Sequence, residues 1–351
     1  MNTFRYRLCF HTPAFLGNAQ QQAQWRTPPV KALLRQWWRV AAAQQARYNI
    51  DTLRQQEGAL FGAASEEQGG SRQSQIRIRL SHWNMGQLKD WTSVGTQKHP
   101  EVPAPVGSDL YLGFGPLEYD RASRSTSIKH KAAIQAGDTA TLSLALPDAH
   151  ASTLQTALWL MDRYGTLGGR SRNGWGSLSL QPVDEGTAAL DGQLGGQLGG
   201  QLALPWQDAL QRDWPHALGT DTQGPLVWQT RAFDDWKKLM QEMARIKIAL
   251  RTQFKFHSGK DAMAPEARHW LSYPVTNHSV KSWGGNARLP NSLRFKVRPA
   301  PGNPQQVVGV IFHVPCLPPP AFQPEPAAIQ TVWQTVHRHL DNEPQLTRIP
   351  A

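Results

Sequence analysis

The clearest chemistry in the chain lies in one segment, Arg26-Thr-Pro-Pro-Val-Lys-Ala-Leu-Leu-Arg-Gln-Trp-Trp-Arg39. Lys31, Arg35 and Arg39 recur every four residues, a spacing that puts all three on one face of a helix. No acid stands three or four residues from any of them. Such a ladder suits a phosphate backbone, with Arg26 beside it and Trp38 placed to stack a base. Trp37 instead joins Val30, Leu33, Leu34 and Ala41 on an apolar stripe and is expected in the core.

A second constellation is Gly165-Thr-Leu-Gly-Gly-Arg-Ser-Arg-Asn-Gly-Trp-Gly176. Glycines at this density let the main chain approach a ligand closely and present N–H groups to an anion. The expected contacts are Gly168, Gly169, Arg170, Ser171, Arg172, Asn173, Gly174 and Trp175. The loop follows a helix and precedes a strand, the reverse of a dinucleotide fingerprint, and it lacks the GKS/T ending of a P-loop. An extended nucleic-acid backbone is favoured over a mononucleotide.

Catalytic chemistry has one candidate, His11, which follows the first strand and is placed as a general base. No second catalytic partner accompanies it, so it reads as a capping or loop residue, and no catalytic residue is assigned. His337 and His339, two apart on a helix, face away from each other. Cys9 and Cys316 have neither disulfide-framework nor zinc spacing. The expectation is therefore no metal and no cofactor.

The elements that must position these groups follow from pattern. Thr3–Phe10 alternates as a strand, Pro28 and Pro29 open a helix, and Gln75–Trp83 alternates again. Asp109–Phe114 is expected as a third strand, Leu154–Tyr164 as a helix and Trp175–Leu180 as a fourth strand. That order, β-α-β-β-α-β, is ferredoxin-like (RRM-like). Further on, Phe233–Leu250 and Pro324–Leu340 predict helices, and Ser292–Val297 with Gln306–Val314 predicts paired strands. The fold class expected is α+β, with two tandem ferredoxin-like domains, the second degenerate. The repeat within Asp191–Leu202 has a linker's composition. It divides the chain into residues 1–181, a 182–204 linker and residues 205–351.

The whole chain has 351 residues, 40 % of them hydrophobic, which excludes a disordered polyelectrolyte. Its formal charge is +11, and residues 1–50 hold seven basic residues and no acid. A polyanionic partner is the natural counterpart. No apolar run reaches the length of a bilayer span and no secretory signal opens the chain, so a cytoplasmic location without membrane contact is expected.

Taken in order, RTPPVKALLRQWWR, Glu57-Gly-Ala-Leu-Phe-Gly62, Ser71-Arg72 before the QIRIRL strand, and LGGRSRNGWGSL resemble the RAMP superfamily of CRISPR–Cas proteins. The tryptophan pair and its setting are similar to the first RAMP subunit of type III-B (Cmr) effector complexes. The second half resembles that family more loosely, through Arg288–Lys296. Ala32 stands where the helix motif often has glycine, and the Gln/Gly repeat is particular to this chain.

The resemblance implies RNA binding without catalysis, near the 3′ region of the guide. Its implied partners are crRNA, target single-stranded RNA and neighbouring RAMP subunits. The alternative is a metal-independent RAMP endoribonuclease that processes guide precursors.

Overall fold

Alternation makes the first strand. In β1 (Asn2–Phe10), Phe4, Tyr6, Leu8 and Phe10 are buried while Thr3, Arg5 and Arg7 face solvent. The computed structural model describes residues 1–64, 70–130, 132–187, 190 and 202–349. Helix α1 (Thr27–Ala43) opens on its two prolines, whose missing N–H groups are no loss in a first turn. Helix α2 (Ile50–Phe61) is capped by Asn49, whose side chain accepts from the Thr52 N–H. Then come β2 (Arg77–Leu80), α3 (Ser108–Gly113), β3 (Thr139–Leu146), α4 (Ala151–Tyr164) and β4 (Leu178–Pro182).

The strand expected at Asp109–Phe114 is instead the short helix α3. Buried Asp109 accepts from the Leu110 N–H and from the Trp91 indole, and this local side-chain bond favours a helical start over a strand. The third strand of the sheet is β3, where Ala140, Leu142, Leu144 and Leu146 point inward. The sheet runs β2-β3-β1-β4, antiparallel throughout, with Arg5 opposite Ser143 and Leu8 opposite Leu180.

A second four-stranded sheet follows, from β5 (Val227–Thr230), α5 (Trp236–Thr252), β6 (Leu293–Ala300), β7 (Asn303–His313), α6 (Pro326–Asp341) and β8 (Leu346–Arg348). Its order is β6-β7-β5-β8, also antiparallel, so the two sheets repeat one arrangement of strands and helices. The protein is thus a mixed α+β structure with several antiparallel sheets.

The layers stack through alternating residues of β7. Val310 and Phe312 face α1 and α4, while Ile311 faces α5 and α6. The Trp37 ring lies 5.9 Å from Tyr164 and 6.2 Å from Phe312, which places α1 and α4 between the two sheets. Lys296 of β6 is fully buried there and donates to the Met161 and Asp162 carbonyls at the end of α4, where a cation complements the helix dipole. Burial nonetheless holds its pKa well below the ordinary lysine range, with Asp162 opposing the shift.

Both hydrophobic clusters draw residues from either side of 182–204. Most of that Gly/Gln/Leu segment, residues 188, 189 and 191–201, lies outside the described residues. Leu190 and Leu202 beside it are buried in the first cluster.

Candidate nucleic-acid interface

Helix α1 divides as its sequence pattern requires. Val30, Leu33, Leu34 and Trp37 are buried, and Lys31, Arg35 and Arg39 stay partly exposed on another face. Lys31 has its pKa lowered by partial burial and by the charge of Arg35, so the ladder's members lie near one another. Arg26 sits at the helix N-terminus, its Nε buried and without a hydrogen-bond partner among the described residues.

Sequence spacing missed the acid that serves this ladder. Glu57 of α2 is buried and accepts from Arg35 Nε at 2.8 Å and from Arg39 Nε at 2.9 Å, with Arg39 Nη2 also 2.8 Å away. The arginine side chains remain 37 % and 43 % exposed, so the carboxylate engages part of each guanidinium and leaves both side chains partly open to solvent. One buried carboxylate between two guanidinium groups keeps a net positive charge and holds both in a fixed orientation. The signal was present in the EGALFG motif, but a pairing across 18 and 22 residues cannot be read from helix periodicity.

Trp38 requires a correction. It is 3 % exposed, with its ring edge-on to Phe61 of α2 at 5.7 Å, so no face of the indole is offered to a base. A second helix covers that side of α1, which the helix's own sequence does not reveal.

The Gly-rich loop is also more internal than expected. Gly169 donates its N–H to Phe15, Asn173 to Arg170, Gly174 to Ser171 and Gly176 to Pro13, so these donors are not free to form an anion nest. Trp175 is fully buried against Phe15, Trp91 and Trp236. Gly174 is buried too, and its position touches Met240 and Met243 of α5. A Cβ on Gly176 would lie 1.8 Å from the Leu167 carbonyl, at a φ of +64°, so only glycine fits.

The loop's polar side chains join the two halves of the chain. Arg172 donates to the Asn291 carbonyl at 2.9 Å, and the Arg172 carbonyl accepts from Phe295. Asn173 donates to the Leu112 carbonyl and accepts from buried Lys247. Arg170 donates to the Phe114 carbonyl at 2.6 Å yet is largely exposed, as is Gly168. Ser171 is partly exposed. Of the expected loop contacts, Gly168 and Arg170 are the outward ones, while Gly174 and Trp175 belong to the packing.

His11 hydrogen-bonds to Ser179 Oγ at 2.8 Å, and burial, with Lys296 and Arg298, pushes its pKa down to about 4. That value lies far from the range suited to general-base work at neutral pH. Among the described residues, no group of three or more His, Cys, Asp or Glu is arranged to hold a metal ion, and no helix is long and apolar enough to cross a membrane.

The family model of the RAMP superfamily matches residues 8–179, from the end of β1 through α1, α2 and the Gly-rich loop. Over that segment, just under half of the chain, the sequence is similar to the RAMP superfamily. Among solved structures, the chain is similar to Cmr1 from Pyrococcus furiosus in its apo form, at 14 % identity over 99 % of this chain and 98 % of that one, with a TM-score of 0.47. It is also similar to a chain of the type III-B Cmr-beta complex bound to cognate target RNA, at 12 % identity, 95 % and 99 % coverage and a TM-score of 0.48. A type IV-B CRISPR complex chain matches at 16 % identity over 55 % of this chain and 94 % of its own, with a TM-score of 0.32. No curated protein sequence matches the chain.

Proposed function

We propose that the chain is a non-catalytic RNA-binding subunit of a type III-B (Cmr) CRISPR effector complex. In this reading it works in the cytoplasm, holds crRNA or target single-stranded RNA near the 3′ end of the guide, and contacts neighbouring RAMP subunits. Its two sheets are read as tandem ferredoxin-like domains, 1–181 and 205–351, a reading supported by their shared strand order.

The observation that carries the proposal is the outward face of α1. Lys31, Arg35 and Arg39 stand together inside the segment similar to the RAMP superfamily, two of them braced by one buried carboxylate. Contacts of that kind go to phosphate and leave base sequence unread. The type III-B assignment rests on the tryptophan pair of α1 and its setting.

The test separates binding from cutting. Full-length chain incubated with labelled repeat RNA in EDTA is expected to retain the RNA and leave it intact on a denaturing gel. Cleavage abolished by His11→Ala would overturn the reading in favour of a metal-independent nuclease.

A further inference from the structure

We infer that the open face of the β2-β3-β1-β4 sheet is a second surface for a nucleic-acid phosphate backbone, on the side of the sheet away from α1. Four arginines stand on it. Arg5 and Arg7 alternate outward from β1, and Arg77 and Arg79 from β2. Their neighbours Phe4, Tyr6, Leu8 and Leu80 turn inward and are buried. Both strands read Arg-X-Arg, so the two-residue period of a strand delivers every cation to one face.

The register sets their geometry. Arg5 and Arg79 flank Ser143 of β3, Arg7 lies beside Thr141, and Arg77 beside Ala145. Strands about 4.8 Å apart put the β1 and β2 cations about 10 Å from each other, with about 7 Å between successive arginines on one strand. The strip between them carries small side chains, two of them hydroxyls able to donate to a phosphate oxygen.

Arg5 has one exposed partner, Asp184, at 3.1 Å. Arg7, Arg77 and Arg79 make no side-chain hydrogen bond or ion pair among the described residues. The four cations outnumber the carboxylates beside them, Asp184 at Arg5 and Asp138 near Cys9, and an external anion relieves the repulsion that remains.

The same face argues against a protein partner. Its outward residues on the four strands are Thr3, Arg5, Arg7, Cys9, Arg77, Arg79, Thr139, Thr141, Ser143, Ala145, Ser179 and Gln181. On the strands none is a large apolar side chain, and Val183, exposed just past β4 beside Arg5, lies at the rim, short of the apolar centre that protein interfaces bury. None is aromatic, so bases are not stacked and the backbone alone is held.

This surface stands independently of the α1 assignment, and the test keeps them apart. The full chain carrying Arg7→Gln, Arg77→Gln and Arg79→Gln is titrated with a long oligouridylate at several salt concentrations, beside the wild type and an α1 variant. These arginines are exposed and support no core contact, so an unchanged unfolding midpoint is expected. Three lost phosphate contacts make the logarithmic salt dependence shallower by about 2 and weaken low-salt binding by at least about tenfold. Sheet-face loss with an intact α1 effect, or with none, supports the surface. Unchanged affinity and slope would overturn it, including the case in which only an acidic protein is retained.

Discussion

Changing Lys31, Arg35 and Arg39 together to Gln will weaken binding of single-stranded RNA by about a hundredfold, at about 1 kcal/mol for each of three charge-assisted contacts. The logarithmic salt dependence should fall by about 2, since each phosphate contact on a single strand contributes about 0.7. Gln is preferred to Glu because Glu57 already holds both arginines. Charge reversal would press carboxylates against a buried carboxylate and confound binding with misfolding. The amide of Gln keeps a donor for Glu57 while removing the charge RNA would feel. Lys31→Gln alone, which breaks no ion pair, should give a fraction of the same effect. A triple variant that folds and binds RNA with wild-type affinity would remove α1 from the interface.

Trp37→Ala is expected to destabilise the fold by about 3–5 kcal/mol, the usual range for emptying a large aromatic site in a core. The indole is 1 % exposed and touches three elements at once: Tyr164 of α4, Phe312 of β7, and the Arg294 guanidinium of β6 at 5.7 Å. Neighbours fixed on a helix and on two paired strands of one sheet cannot all move to close the gap. Domains of marginal stability have about 5–15 kcal/mol in total, so a loss of this size is read directly in chemical denaturation. A shift below about 1 kcal/mol, the level of an ordinary substitution, would show that α1 does not bridge the two sheets.

What the sequence made legible was local. β1 and α1 follow from alternation and from a prolyl first turn, and both formed within a residue or two of expectation. In the second half, the helix expected at Phe233–Leu250 formed at Trp236–Thr252 and the strand expected at Gln306–Val314 at Asn303–His313. Strands β5 and β8, of four and three residues, are too short to carry a period and escaped notice. The failures share a cause in tertiary contact. Trp38 is taken out of solvent by Phe61, and Arg35 and Arg39 meet an acid on another helix. The Gly-rich loop spends its donors on Phe15 and Pro13.

The acid-free opening of the chain also divided in a way that spacing alone does not show. Arg26, Lys31, Arg35 and Arg39 go to α1, whereas Arg5 and Arg7 go to the open face of a sheet. Six of the seven cations of residues 1–50 therefore occupy two surfaces, with Arg47 in the turn after α1.

Crosslinking of the assembled ribonucleoprotein, with both the RNA position and the peptide mapped, tests the central claim most directly. The account predicts RNA crosslinks within Arg26–Arg39 of α1, at nucleotides near the 3′ end of the guide or the target segment paired with it. Crosslinks confined to neighbouring subunits, with none on this chain, would contradict it.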